Sequence, residues 1–204
     1  MDSLAAIRSD RVVAVVRAER VANPVALAQT LAAAGIRAIE FTFTIPAVLE
    51  AIEAAARAEE VVGAGTVLTE TQAREAIAAG ARFVVSPACV PGLAEPCRSA
   101  GVPLFLGALS PTEVHEAVTA GATAVKLFPA AVGGPEYLRH LRGPFPNTDF
   151  LPSGGIDERN ARAFLDAGAL AVYAGSGLVP PELVASGEHS EIERRARAFV
   201  AALT

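Results

Sequence analysis

An Ala-Gly step followed by an apolar run recurs along this chain as AAGIRAIEF, AAGARFVVS, SAGVPLFLG, TAGATAVKL and DAGALAVYA. Each glycine (Gly35, Gly80, Gly101, Gly121 and Gly168) follows an Ala-, Glu- or Arg-rich amphipathic segment. A helix ends at such a place in a left-handed residue, and glycine takes that conformation without a side-chain clash. Each unit therefore reads as helix, glycine cap, strand. A repeat of this kind constrains the fold more than any single residue does.

Three further apolar runs, VVAVV from Val12, VVGAGTV from Val61 and DFLPSG from Asp149, bring the total to eight, spaced about 20 to 26 residues apart. Helical patterns fall between and after them near 24–34, 46–58, 70–79, 91–100, 111–120, 135–141, 158–167 and 189–203. Strict alternation with short connections implies parallel strands joined by helical crossovers. Eight such units suggest an α/β fold, a compact (β/α)8 TIM barrel near the lower end of the usual size range. An open doubly wound sheet normally has about five or six strands and a Gly-rich fingerprint after the first. Here RAERVANP follows VVAVV instead. No linker, low-complexity segment or charge run divides the chain, so residues 1–204 read as one domain.

Composition narrows the function. At 204 residues, 52% hydrophobic and 19% charged, the chain can bury a real core and does not have the balance of a disordered one. A net charge of −5 and a pI near 5.3 lack the basic footprint of a nucleic-acid or anionic-membrane binder, which leaves small molecules as the expected partners. Cys89 and Cys97 form no CxxC and read as reduced structural thiols, and His115, His140 and His189 show no ligand spacing, so no metal is expected. VVAVV is too short for a signal-peptide core or a membrane span, and a soluble cytoplasmic protein is the expectation.

The basic residues number 17, of which 16 are Arg; the remaining one is Lys126, inside the apolar run ATAVKLFPA. Such a run makes a buried strand. A buried structural cation could be Arg, whereas an amine nucleophile cannot, because guanidinium stays protonated. Lys126 therefore points to imine formation with a ketone or aldehyde, and apolar surroundings favour the free amine this needs. The residue five after each cap glycine is Glu40, Val85, Leu106, Lys126 or Tyr173. Equal offsets place Glu40 and Lys126 on the same face, inside the barrel and towards the carboxyl ends of the strands, where barrel active sites are built. Glu40 then reads either as a proton-transfer group or as a salt-bridge partner of a loop Arg.

Two Gly-rich turns, PSGGI at 152–156 and AGSGL at 174–178, follow the seventh and eighth runs. Barrel phosphate sites are frequently built there from backbone N–H groups, with ordinary tight turns as the alternative. GAGTVL at 63–68 allows close packing or a substrate near the backbone, and Thr66 offers a hydroxyl. Arg17, at the end of the first run, suits a carboxylate clamp or a rim salt bridge.

From about Val12 to the last helix, the chain resembles the class I 2-dehydro-3-deoxy-phosphogluconate (KDPG) aldolases, a family that includes 4-hydroxy-2-oxoglutarate (KHG) aldolases. The resemblance is carried by EFTFT at 40–44, GAGTVL, SP at 86–87, KLFPA at 126–130, GPFP at 143–146, PSGGI and GSGLV. It implies a Schiff-base lysine at Lys126 and a general acid/base at Glu40. Thr66 would hold the pyruvate carboxylate, Phe128 and Pro87 would wall the pyruvyl group, and Gly154, Gly155, Gly175 and Ser176 would cradle the phosphate. It further implies a homotrimer that needs neither metal nor other cofactor.

One departure stands out: many relatives have Arg four residues after the catalytic Glu, where this chain has Thr44. Arg17, from the neighbouring strand end, is expected to take over the carboxylate. The hydroxyl of Ser153 just before the glycine pair resembles relatives acting on the gluconate-derived epimer, since those acting on the galactonate-derived one look apolar there. The expected reaction is cleavage of 2-dehydro-3-deoxy-6-phosphogluconate to pyruvate and glyceraldehyde 3-phosphate. A KHG aldolase and the galactonate-epimer aldolase are the near alternatives. An imine-free phosphate-binding barrel isomerase or synthase, or a barrel that only binds a sugar phosphate, is more distant.

Overall fold

The computed structural model describes residues 3–58 and 60–204. Its eight parallel strands are β1 Val12–Val16, β2 Ala38–Thr42, β3 Val61–Gly65, β4 Val84–Val85, β5 Leu104–Ala108, β6 Ala124–Leu127, β7 Phe150–Pro152 and β8 Val172–Ala174. They neighbour one another in chain order, and β8 returns to pair with β1. A parallel bridge between Ser153 and Tyr173 closes the seam between β7 and β8, and Leu170 N–H donates across it to Phe150 O at 2.9 Å. This is the (β/α)8 barrel that the repeat implied.

The helices on the outside are α2 Pro24–Ala33, α3 Val48–Arg57, α4 Glu70–Ala78, α5 Ala94–Ala100, α6 Pro111–Thr119, α7 Gly134–Arg142, α8 Ala161–Asp166 and α10 His189–Ala201. Local chemistry starts several of them. Asn23 caps α2 by accepting from Ala26 N–H, and reciprocal capping boxes, Thr69 with Gln72 and Ser110 with Glu113, open α4 and α6. The five repeat glycines end helices in one way. The residue after each donates back to the carbonyl five earlier, as Ile36 does to Leu31 at 2.9 Å and Ala122 to Ala117 at 3.0 Å. The positive φ at Gly35 and Gly121 (97° and 93°) is what this closure demands.

The strand residues are buried, so each strand faces apolar packing on both sides. Outward residues pack under the helices, and inward residues, among them Val13, Val15, Phe83, Val85, Phe105, Leu151 and Tyr173, fill the barrel. Ala6 and Ile7 join this inner cluster from a helix outside the sequence expectation, α1 Ser3–Asp10. Ser3 Oγ donates to Arg82 O at 2.9 Å, and α1 lies over the amino end of the barrel. A second short helix, α9 Pro181–Ser186, precedes α10 and was likewise not expected. No helix among the described residues is long and apolar enough to cross a membrane.

The five-residue offset puts Glu40, Val85, Lys126 and Tyr173 inside, and it fails at Leu106, which packs outward under the helices. In the β4–β5 ladder, Leu104 pairs with Val84, three residues after Gly101 against four after Gly80. The connection into β5 is one residue shorter, which turns every β5 side chain to the other face. Phe105 and Gly107 take the inward positions instead.

Because Ile7 is fully buried against the inner cluster, Ile7→Ala should destabilise the barrel by about 2–4 kcal/mol. Urea unfolding checks this, and an unchanged midpoint would show that α1 does not seal the barrel.

Candidate active site

Glu40 sits mid-strand in β2, in register with Val15 of β1 and Gly63 of β3. Lys126 occupies the corresponding place in β6, between Gly107 of β5 and Leu151 of β7. From these separate strands the two side chains meet inside the barrel, Nζ lying 3.7 Å from Oε1 with only 7% and 0% of the side chains exposed. Glycine at 65 makes the room: a Cβ there would lie 1.9 Å from Glu40 Oε1. Neither carboxylate oxygen of Glu40 has a hydrogen-bond partner among the described residues. The Lys126 amine also lies 5.1 Å from the ring centre of Tyr173 and 5.9 Å from that of Phe128.

Burial pushes the Glu40 carboxyl up from the usual carboxylate range, and the opposing charges of Lys126 and Arg17 offset part of this. Burial pushes the Lys126 amine down, opposed by Glu40 and reinforced by the like charge of Arg17. Both shifts move proton exchange towards neutral pH. Such a pair offers a free amine to attack a carbonyl and a carboxyl that can take up and return a proton.

Arg17 follows β1 on the rim. Its Nη2 donates to Thr66 Oγ1 at 3.3 Å and its Nη1 to Thr44 Oγ1 at 3.5 Å. Thr42 Oγ1 donates to Val16 O at 3.0 Å, which uses its only proton. The 2.7 Å contact between the Thr42 and Thr44 hydroxyls is therefore donated by Thr44. Thr44 thus stays with the guanidinium and relays it to the β1 backbone. Thr66 has φ of 56°, a strained conformation for a β-branched residue and of the kind that clusters at functional sites.

A cavity of about 370 Å³ opens beside the pair at the carboxyl ends of the strands. Its walls include Arg17, Phe128, Ser153, Gly154, Gly155, Tyr173, Gly175 and Ser176. The turn after β7 is held by Ala130 N–H donating to Ser153 O at 2.7 Å, Ala131 N–H to Gly154 O at 3.1 Å and Asn160 Nδ2 to Gly155 O at 2.7 Å. A Cβ at Gly155 would come within 2.6 Å of the Ala131 methyl. Within the described residues, the N–H groups of Gly155 and Ser176 donate to no backbone carbonyl. They are available to an anion.

Most of the residues singled out in the sequence converge here. Lys126 and Glu40 do not themselves line the cavity, but the amine lies against two of its wall residues, Phe128 and Tyr173; Thr66 is tied to it through Arg17, and the remainder line it, with one exception. Pro87 does not line the cavity; its carbonyl group abuts Gly107, the strand neighbour of Lys126. Tyr173, outside the set of site residues the sequence points to, lines the cavity at the same offset from its cap glycine as Glu40 and Lys126. That offset was its signal. No group of three or more His, Cys, Asp or Glu side chains among the described residues is arranged to hold a metal ion.

The family model described as "Aldolase: KDPG and KHG aldolase" matches residues 4–195. The chain is 40% identical over 190 residues to the 2-dehydro-3-deoxy-phosphogluconate aldolase of Treponema pallidum, a match covering 92% of this chain and 90% of that one. It is 34% identical over 192 residues to the KHG/KDPG aldolase of Escherichia coli K12, covering 93% and 90%. Among solved structures it resembles the KDPG aldolase of Legionella pneumophila with pyruvate captured as a covalent carbinolamine intermediate. There the TM-score is 0.87 at 32% identity, over 98% of each chain. With this barrel and a match along most of its length, the chain belongs to the KDPG and KHG aldolase family.

Proposed function

We propose that this aldolase works through an imine on Lys126 and cleaves 2-dehydro-3-deoxy-6-phosphogluconate to pyruvate and glyceraldehyde 3-phosphate. The observation that carries this reading is the buried Lys126 amine, 3.7 Å from Glu40 and next to a polar-ended cavity. The neutral amine adds to the C2 ketone, and loss of water gives an iminium. Glu40 takes the C4 hydroxyl proton, the C3–C4 bond breaks, and its electron pair passes to the iminium to leave an enamine. Glyceraldehyde 3-phosphate departs, C3 of the enamine is protonated, and hydrolysis releases pyruvate and the amine. The chain's own imine is the electron sink, so the reaction requires no cofactor.

The remaining site residues follow the charges of this substrate. Arg17 and the Thr66 hydroxyl receive the carboxylate, with Arg17 taking the part of the Arg that Thr44 replaces. Phe128 and Pro87 wall the pyruvyl carbons. The free N–H groups of Gly155 and Ser176, with Gly154 and Gly175, receive the phosphate. Ser153, buried in the cavity wall, selects the gluconate-derived C4 epimer, because a buried hydroxyl rejects an isomer that leaves it unpaired. The protein acts in the cytoplasm as a homotrimer.

Incubation with pyruvate and sodium borohydride, followed by peptide mapping, should give a reduced pyruvyl adduct on the peptide containing Lys126; folded protein without one would refute the imine. Lys126→Arg keeps the charge and should lower kcat by more than about a thousandfold. Arg17→Ala should raise KM roughly tenfold with a smaller effect on kcat, and an unchanged KM would remove Arg17 from the carboxylate site. Light scattering on the purified protein should return three times the chain mass, and a monomer would overturn the trimer.

A further inference from the structure

Among the buried side-chain polar atoms without a hydrogen-bond partner are both oxygens of Glu40 and the hydroxyl of Tyr173. Both residues lie against the same amine, Glu40 with its Oε1 3.7 Å from Lys126 Nζ and Tyr173 with its ring centre 5.1 Å from it. Leaving such atoms unpartnered is costly, and phenylalanine at 173 would fill nearly the same space without that cost. Tyr173 is only 1% exposed, yet it lines the cavity and bridges to Ser153. The hydroxyl is therefore buried inside the barrel, on a residue that borders the cavity.

The groups that face Glu40 are few. Lys126 comes from β6, Arg17 from the end of β1 and Tyr173 from β8. Among the described residues, the rest of the inner wall, including Gly65 of β3, Val85 of β4, Phe105 of β5 and Leu151 of β7, has no titratable group. Burial and the Glu40 carboxylate keep the Tyr173 phenol protonated, so a neutral donor and an unpartnered acceptor are enclosed around one amine.

We propose that Tyr173 is a positioning residue of the aldolase reaction, its hydroxyl donating to the Glu40 carboxylate when substrate fills the cavity and holding that carboxylate ready for the C4 hydroxyl proton. Hydrogen bonds of this kind are often long in the free enzyme and shorten in the substrate complex. The inference rests on the imine reading given above. Donation to the ionised carboxylate favours that form, so loss of the hydroxyl moves ionisation of Glu40 to higher pH.

Two proteins test it. Tyr173→Phe removes the hydroxyl and keeps the ring. The chain has two tyrosines, so 3-fluorotyrosine incorporated into a Tyr137→Phe background labels position 173 alone and makes its hydroxyl a stronger donor. Tyr173→Phe should retain or raise Tm, lower kcat about tenfold with KM within about twofold, and move the acid limb of kcat/KM up by about half a pH unit or more. The fluorinated protein, compared with Tyr137→Phe, should move that limb down. Limbs unmoved in both proteins would overturn the role of Tyr173, as would an unmoved limb in the fluorinated protein alone if Tyr173→Phe does not fold. Borohydride trapping of the parent separates the two readings. An adduct on Lys126 with unmoved limbs removes only Tyr173, whereas no adduct removes the imine and this inference with it.

Discussion

The structure turns on one contact, the carboxylate of Glu40 and the amine of Lys126 enclosed together inside a barrel. Taking two ionisable groups out of water is expensive, and their mutual attraction returns that cost only in part. The surroundings make the cost a chemical asset. Burial destabilises both charged forms, so a proton is held less tightly by the amine and more tightly by the carboxyl than in water. An apolar pair in the same place would pack as well and do no chemistry.

Everything near this contact is arranged by the need to keep it rigid and reachable. Gly65 leaves β3 without a side chain where the carboxylate lies, and the Tyr173 ring supports the amine from β8. Below, α1 and the inner cluster of Val13, Phe83, Phe105 and their neighbours seal the amino end of the barrel. Above, the strands end in a cationic rim at Arg17 and in two turns with free backbone N–H groups. The proposed substrate, with a carboxylate at one end and a phosphate at the other, would find the Arg17 guanidinium for the first and backbone N–H groups for the second.

Much of this was legible in the residues. The glycine-capped repeat and the spacing of the apolar runs implied the barrel, because the closure used by each cap requires a residue tolerant of positive φ. The lone lysine in an apolar strand pointed to amine chemistry, because guanidinium cannot supply it. Other features left little trace. The helix SLAAIRSD is short and its apolar pattern is weak, so only its burial under the barrel explains why it forms. Leu106 misled the face assignment because one residue fewer links its cap to its strand. Tyr173 reads as an ordinary core aromatic until its hydroxyl is found without a partner. The positive φ of Thr66 is not a property that threonine announces.

The sequence by itself determined the alternation of helix and strand, the faces of most strands and the kinds of group available for chemistry. These depend on short-range rules, namely capping, period and side-chain type. Only the tertiary structure decided that Glu40 and Lys126 touch, that Arg17 reaches Thr66 and Thr44, and that Pro87 stands off the cavity while Tyr173 lines it. Alternation along a strand chooses between inside and outside. Depth and direction inside a closed barrel depend on how far each strand is staggered against its neighbours, and that stagger is a property of the whole sheet.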